Sequence, residues 1–215
     1  MIHPAVTRNA VILGAFAAAT AAVLALTHEH TRERVACNRQ AALESSLQQV
    51  FPEKRADHSL LEDVARVEDT PLGSGERNLY RARRDGEPAG LIMEATAPDG
   101  YGGPIDLLVG VDADGVITGV RVVPPHNETP GLGDKIETRK SEWILSFEGH
   151  SLDNTAPGEW GVRPDGGTFD AFTGATITPR AVTSAVHRAL RFHDEHREEL
   201  FALPGRAQTM EHCDE

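Results

Sequence analysis

The segment IDLLVGVDADGVITGVRVV, Ile105–Val123, carries two alternating apolar runs around one turn. Ile105, Leu107, Val109 and Val111 take every second position, and Val116, Val120 and Val122 follow with Thr118 between them. A period of two puts such residues on one face of a pleated strand. Between the runs lies Asp112-Ala113-Asp114-Gly115. It superficially resembles a calcium loop, but the third acidic position and the terminal Glu are missing, so it reads as a hairpin turn. Strands joined this tightly are antiparallel.

Upstream, NLYRARRDGEPAGLIMEAT repeats the pattern. Its strands are Asn78–Arg83 and Ala89–Thr96, with a turn at Asp85-Gly86. A glycine-rich loop, Asp99–Pro104, joins the two hairpins. Downstream, Pro124–Glu137 is a Pro- and Gly-dense loop, followed by a helical pattern through Trp143, Ile144 and Phe147. The last long element is a helix in which Ala181, Val182, Ala185, Val186, Ala189 and Leu190 form an apolar stripe. Thr178 as N-cap and Pro179 at the first helical position give its start. An antiparallel sheet of four or more strands with helices before and after it is α+β, not a doubly wound sheet.

The N-terminal part is different. Residues 9–27, NAVILGAFAAATAAVLALT, contain no charge and as a helix reach about 28 Å, enough for the hydrocarbon core of a bilayer. Ala19-Thr20-Ala21 offers a signal-peptide cleavage site, yet the apolar run continues past it to Leu26, which favours a retained anchor. Arg8 precedes the span and Arg32, Arg34 and Arg39 follow it, so charge alone leaves the membrane side open. TRERVACNRQAALESSLQQVF then reads as a helix ended by Pro52 and the charged run to Asp57. The expected division is a short tail (1–8), a transmembrane helix (9–27), a linking helix (28–56), one soluble domain (57–205) and a C-terminal tail (206–215).

With 215 residues and a formal charge of -12, the chain is unsuited to nucleic acid as its main partner. Cys37 and Cys213 allow one disulfide at most. His193 and His196 sit three apart beside Asp194 and Glu195, a spacing read as a solvated helix face rather than a metal site. Neither Gly131-x-Gly133 nor Gly73-x-Gly75 continues to a third glycine, so direct dinucleotide binding is not expected. No catalytic Ser/His/Asp arrangement stands out.

Chemistry concentrates in Asp170-Ala171-Phe172-Thr173-Gly174-Ala175-Thr176, a slim, hydroxyl-bearing segment just before the last helix. A helix N-terminus offers unpaired N–H groups and a positive dipole end, both suited to a phosphate. The competing reading is a plain loop-to-helix junction with redundant capping hydroxyls.

Asp170-x-x-Thr173-Gly174-Ala175-Thr176 matches Asp-x-x-[Ser/Thr]-Gly-Ala-Thr, the acceptor motif of flavin transferases, which attach FMN through its phosphate to the last threonine. With HNETPGLGDKIE, GYGGPIDLLVGVD and the single N-terminal span, nearly the whole chain resembles the RnfG (RsxG) family, the G subunits of the Rnf electron transport complex. The resemblance implies an FMN-binding domain with FMN as a phosphoester on Thr176. It also implies that Gly174 and Ala175 keep the segment slim enough to enter a transferase active site, that Asp170 helps recognition there or positions magnesium, and that Thr173 is the first hydroxyl of the FMN-binding motif. Thr178 would open the phosphate-binding helix start. Thr129, Gly131, Leu132 and Gly133 would contact the ring, and Lys135 would stabilise reduced flavin. The implied setting is the bacterial inner membrane, with the soluble domain periplasmic. There the chain would be an electron carrier among other integral and peripheral subunits of a complex that couples electron transfer between NADH and ferredoxin to ion translocation. The C subunit of the sodium-translocating NADH:quinone reductase shares the motif and is an alternative. A membrane-tethered binding or assembly module without flavin is another.

Overall fold

The computed structural model describes residues 4–52 and 56–207, with side chains from residue 7 onward. Met1–His3, part of the charged run after Pro52, and the tail from residue 208 with Cys213 lie outside the described residues. The described residues fall into two compact units, one ending at Ala42 and the next beginning at Leu43.

In the first unit the chain is helical from Pro4. This helix, α1 (Pro4–Val50), has no break at residue 28: the expected span and linking helix are one continuous element. No glycine but Gly14 and no proline after Pro4 interrupts it, so nothing in the backbone ends it before Pro52. Val11, Leu13, Phe16, Leu24 and Leu26 are all exposed. The apolar stretch of α1 is long and apolar enough to cross a membrane, and none of it is buried within the protein.

The second unit is a five-stranded antiparallel meander in the order β1-β2-β3-β4-β5. Its strands are β1 (Val64–Thr70), β2 (Gly73–Arg84), β3 (Glu87–Ala97), β4 (Ile105–Asp112) and β5 (Ile117–Val123). The central pairing sets Leu91 opposite Val111, Met93 opposite Val109 and Ala95 opposite Leu107. That register puts one apolar row from each strand under α2 (Ile177–Ala202), whose Val182, Ala185, Val186 and Ala189 complete the main core. The alternation read for β5 is corrected by a register shift between Gly110 and Val111. Ile117, rather than Val116, enters the core with Val120, and Thr118 turns its side chain to the other face. Trp143–Phe147 forms a 3-10 turn whose Trp143, Ile144 and Phe147 close the core beside α2.

The opposite face of the sheet carries Tyr80, Ala82, Ile92 and Leu108, covered by Leu47, Val50 and Phe51 at the end of α1. Three glycines admit that cover. A Cβ on Gly110 would lie 2.4 Å from Val50 Cγ1, one on Gly119 3.0 Å from the Val50 backbone, and one on Gly90 2.3 Å from the Phe51 ring. Gly90→Ala is expected to destabilise the fold by about 1–3 kcal/mol, because the Val111 carbonyl, 2.7 Å from the same Cβ, blocks the other way out. Urea denaturation of the variant against the parent protein measures it.

His193 is a correction. The sequence placed it on a solvated face, whereas it is 3% exposed, on the apolar side of α2. Burial, helped by Arg197, pushes its imidazole down to about 4, against smaller opposing effects of Asp194 and Asp112. Folded, it therefore holds fewer protons than unfolded between that value and about 6.5. Its contribution to stability is complete above the unfolded pKa and is lost as pH falls towards the folded one. Between pH 7.5 and 5 the parent is expected to lose about 2 kcal/mol more than His193→Leu, read from denaturation midpoints at both pH values.

Candidate functional site

The meander decides which loops meet. Ala97 pairs with Ile105 and Asp106 with Val123, so the end of β3, the start of β4 and the end of β5 lie at one end of the sheet. The loops leaving there are the glycine-rich 98–104 and the Pro- and Gly-dense 124–132. The start of α2 joins them: Thr178 of α2 donates its hydroxyl proton to Glu128 Oε2.

Together they enclose a cavity of about 220 Å³. Its wall holds Thr129, Leu132, Gly133, Gly174, Ala175, Thr176 and Thr178, seven residues singled out in the sequence. Tyr101, Glu128 and Ile177 complete it. Gly131, Lys135, Asp170 and Thr173 stand outside the wall. Asp170 is at the surface, where its carboxylate pairs with Arg163 at 3.1 Å. Lys135 accepts a bond on its carbonyl from Ser141 Oγ at 2.6 Å.

Local structure explains the shape. The Thr129 carbonyl accepts N–H bonds from Leu132, Gly133 and Asp134 at 3.1, 3.0 and 3.3 Å, coiling Pro130–Gly133 into a tight turn. Gly131, at φ +78°, takes the left-handed position that this turn requires. On the opposite wall, Ala175 N–H donates to the Phe172 carbonyl at 3.0 Å, closing a turn through Gly174 at φ +84°. Phe172 is buried edge-on to Trp143, with centroids 5.1 Å apart, and Trp143 Nε1–H donates to the Asp170 carbonyl at 2.7 Å. The Asp170–Thr176 segment is thereby fixed at its start and middle, and its last residue is presented to the cavity.

The helix start differs from the sequence reading. α2 begins at Ile177, so Thr176 takes the N-cap position, where its side chain makes no capping bond. Thr178 is inside the first turn, with its hydroxyl committed to Glu128 rather than to a cap. Pro179 then lies at the third helical position, where it has no N–H to offer. Arg180 N–H is taken by the Thr176 carbonyl at 3.2 Å. An anion at this helix start would therefore meet the N–H groups of Ile177 and Thr178 and not those of residues 179 and 180.

Three wall residues, Glu128, Tyr101 and Ile177, were not singled out from the sequence. Glu128 is 5% exposed and accepts from Gly102 N–H at 3.0 Å as well as from Thr178. The usable signal was the glycines: a Cβ on Gly133 would lie 2.6 Å from Glu128 Oε2, and one on Gly100 2.9 Å from Oε1. Tyr101, Leu132 and Ile177 are the large exposed apolar side chains of the second unit among the described residues, and all three rim this cavity.

The family model of the FMN-binding domain matches residues 100–191, which include every residue of the cavity wall. The model of the RnfG N-terminal region matches residues 1–50, the span of α1. Relatives resemble the chain along nearly its full length. The G subunit of the ion-translocating oxidoreductase complex from Vibrio vulnificus (strain YJ016) is 43% identical over 201 residues, covering 93% of this chain and 95% of that one. The protein of the same name from Aliivibrio fischeri (strain MJ11) is 43% identical over 204 residues, 94% and 97%. That from Shewanella loihica is 41% identical over 207 residues, 95% and 97%. Identity at this level, end to end, places the chain in the RnfG family, the G subunits of the ion-translocating oxidoreductase complex.

Proposed function

We propose that this chain is the FMN-carrying, electron-relaying subunit of a membrane complex, with the flavin bound covalently as a phosphoester on Thr176 Oγ. The observation that carries the reading is the placement of Thr176. It is half-buried at the head of α2, its hydroxyl is uncommitted to capping, and it lines the cavity rimmed by the exposed apolar side chains. The cavity fits such a group. Tyr101, Leu132 and Ile177 offer apolar surface to a flat ring, and Gly174 beside Thr176 adds no side chain to the wall.

The same wall favours a covalent tether over reversible binding. Among the described residues it contains a buried carboxylate, Glu128, and no basic side chain to neutralise a phosphate. Two N–H groups at a helix start are a weak hold on a free phosphate anion beside a carboxylate. A bond to Thr176 removes the dependence on free cofactor concentration, which matters most on the periplasmic side, where the reading puts the domain.

FMN, when bound, supplies reversible electron acceptance. The chain's own residues orient it, exclude water from one side, and fix the charge around it. A flavin transferase is required for maturation, with Asp170 and Thr173 in its recognition segment. The other subunits, integral and peripheral, would carry the remaining steps between NADH and ferredoxin and the ion pathway, since the apolar run 9–27 contains no charged group to form one. The N-terminal match to the RnfG region favours this assignment over the quinone-reductase C subunit.

The deciding experiment is to purify the full chain from a host containing the transferase and run it on a denaturing gel under ultraviolet light. Flavin fluorescence that survives denaturation, with an intact mass raised by one FMN phosphoester, is the expected result. A dark band of unmodified mass would refute the reading.

A further inference from the structure

Among the described residues, Glu128 is the one acidic side chain in the cavity wall. The chain invests heavily in holding it there. Gly102 N–H donates to Oε1 at 3.0 Å, and the Thr178 hydroxyl donates to Oε2, so the carboxylate ties the glycine-rich loop to the head of α2. Behind it, His126 Nδ1 accepts the Glu128 N–H at 3.3 Å, while His126 Nε2 meets Glu137 Oε1 at 2.8 Å. Gly100 and Gly133 lie so close that a Cβ on either would come within 2.9 and 2.6 Å of the Glu128 carboxylate oxygens. Both oxygens accept, one from Gly102 N–H and the other from the Thr178 hydroxyl. No cationic side chain among the described residues faces it across the cavity.

We infer that Glu128 is a positioning residue whose fixed charge, held at the cavity wall, sets the reduction equilibrium of the flavin. The inference rests on the proposed attachment at Thr176. Taking up two electrons and one proton leaves the cofactor one unit more negative. A buried carboxylate in the same cavity opposes that change, because a charge taken out of bulk water is screened less than an exposed one. Glu128 thus disfavours the reduced state, and the Thr178 hydroxyl moderates it by drawing density from Oε2.

Two variants of the flavin-bearing full chain test this with opposite signs. Each is titrated with dithionite against a reference dye, after gel fluorescence has verified attachment. At the potential where the parent is half reduced, Glu128→Gln is expected to show a reduced-to-oxidised ratio of about ten, equivalent to about 30 mV for a two-electron couple. Thr178→Val, which unmasks the carboxylate, is expected to move the ratio the other way by at least twofold. A residue that only clasped the loops would lower thermal stability in both variants and leave both ratios near one; that result overturns the inference. If Glu128→Gln does not fold, the sign of the Thr178→Val shift decides alone, and an unmoved ratio overturns it. A parent protein without flavin would refute the attachment at Thr176 and this inference with it, whereas a flavin-bearing parent with unmoved variants refutes this inference only.

Discussion

Thr176→Ala is expected to remove covalent flavin down to background while the protein stays folded. The attachment needs an oxygen nucleophile at the end of the acceptor segment, and alanine has none. Thr173→Ala should still carry flavin, even if recognition by the transferase is weakened, because it leaves Thr176 in place and Thr173 stands outside the cavity wall that Thr176 lines. Thr176→Ser should also keep it, since the hydroxyl survives. The reverse pattern, with signal lost in Thr173→Ala and kept in Thr176→Ala, would move the attachment site.

The structure makes this result separable from misfolding. Threonine at an N-cap ordinarily contributes about 1 kcal/mol through its bond to a first-turn N–H. Thr176 makes no such bond, so its removal should cost less than that. The segment is held instead by Phe172 against Trp143 and by the Trp143 bond to the Asp170 carbonyl, neither of which the variant touches. Gel fluorescence and intact mass report attachment, and circular dichroism melting reports the fold.

Local pattern made some of this readable in advance. The hairpins around Asp85-Gly86 and Asp112–Gly115 are legible because two runs of strand-forming residues flank a short turn with a glycine at positive φ. β1 is not, since VARVEDT is an edge strand with only its first two residues buried and carries three charges. The start of α2 was misread by two residues for a tertiary reason. Thr178 looks like a cap, but its hydroxyl goes to Glu128, fifty positions upstream. His193 was readable: it falls three residues after Leu190 and seven after Val186, in phase with the stripe, and only its polarity argued for solvent. The threonine motif and the Thr129–Gly133 loop announce themselves by composition. Glu128 and Tyr101 do not, because their place depends on which loops the meander delivers to one end of the sheet.

The other large effect lies far along the chain from the cavity-facing end of α2. Arg81→Met is expected to lower stability by about 3–5 kcal/mol at pH 7. Arg81 lies on β2 and is 2% exposed. Its Nε and Nη2 both donate to Asp63 Oδ1, and its Nη1 donates to the carbonyls of Leu203, Phe201 and Leu200 at 2.6, 3.1 and 3.3 Å. Those carbonyls belong to the C-terminal end of α2, where no further helical N–H can reach them and the helix dipole is negative. One guanidinium therefore neutralises a carboxylate and caps the helix that bears Thr176 at its other end. Methionine keeps most of the stem volume, so the loss is electrostatic rather than a cavity. Asp63 would retain only Arg83, at 3.0 Å. Burial alone would raise the Asp63 carboxyl, but the bonds from Arg83 and Arg81 outweigh it and hold the group below its ordinary value. A carboxyl lowered on folding stabilises above its unfolded pKa, near 3.8, and loses that contribution as pH falls through the folded value. The gap between parent and Arg81→Met should accordingly be full at neutral pH and narrow below about pH 4. Replacing Arg81 and Asp63 together by Met and Leu should cost less than Arg81→Met alone, because no carboxylate is left without its partner. Equal losses in the single and double variants would mean that the α2 carbonyls, and not the ion pair, hold most of the energy.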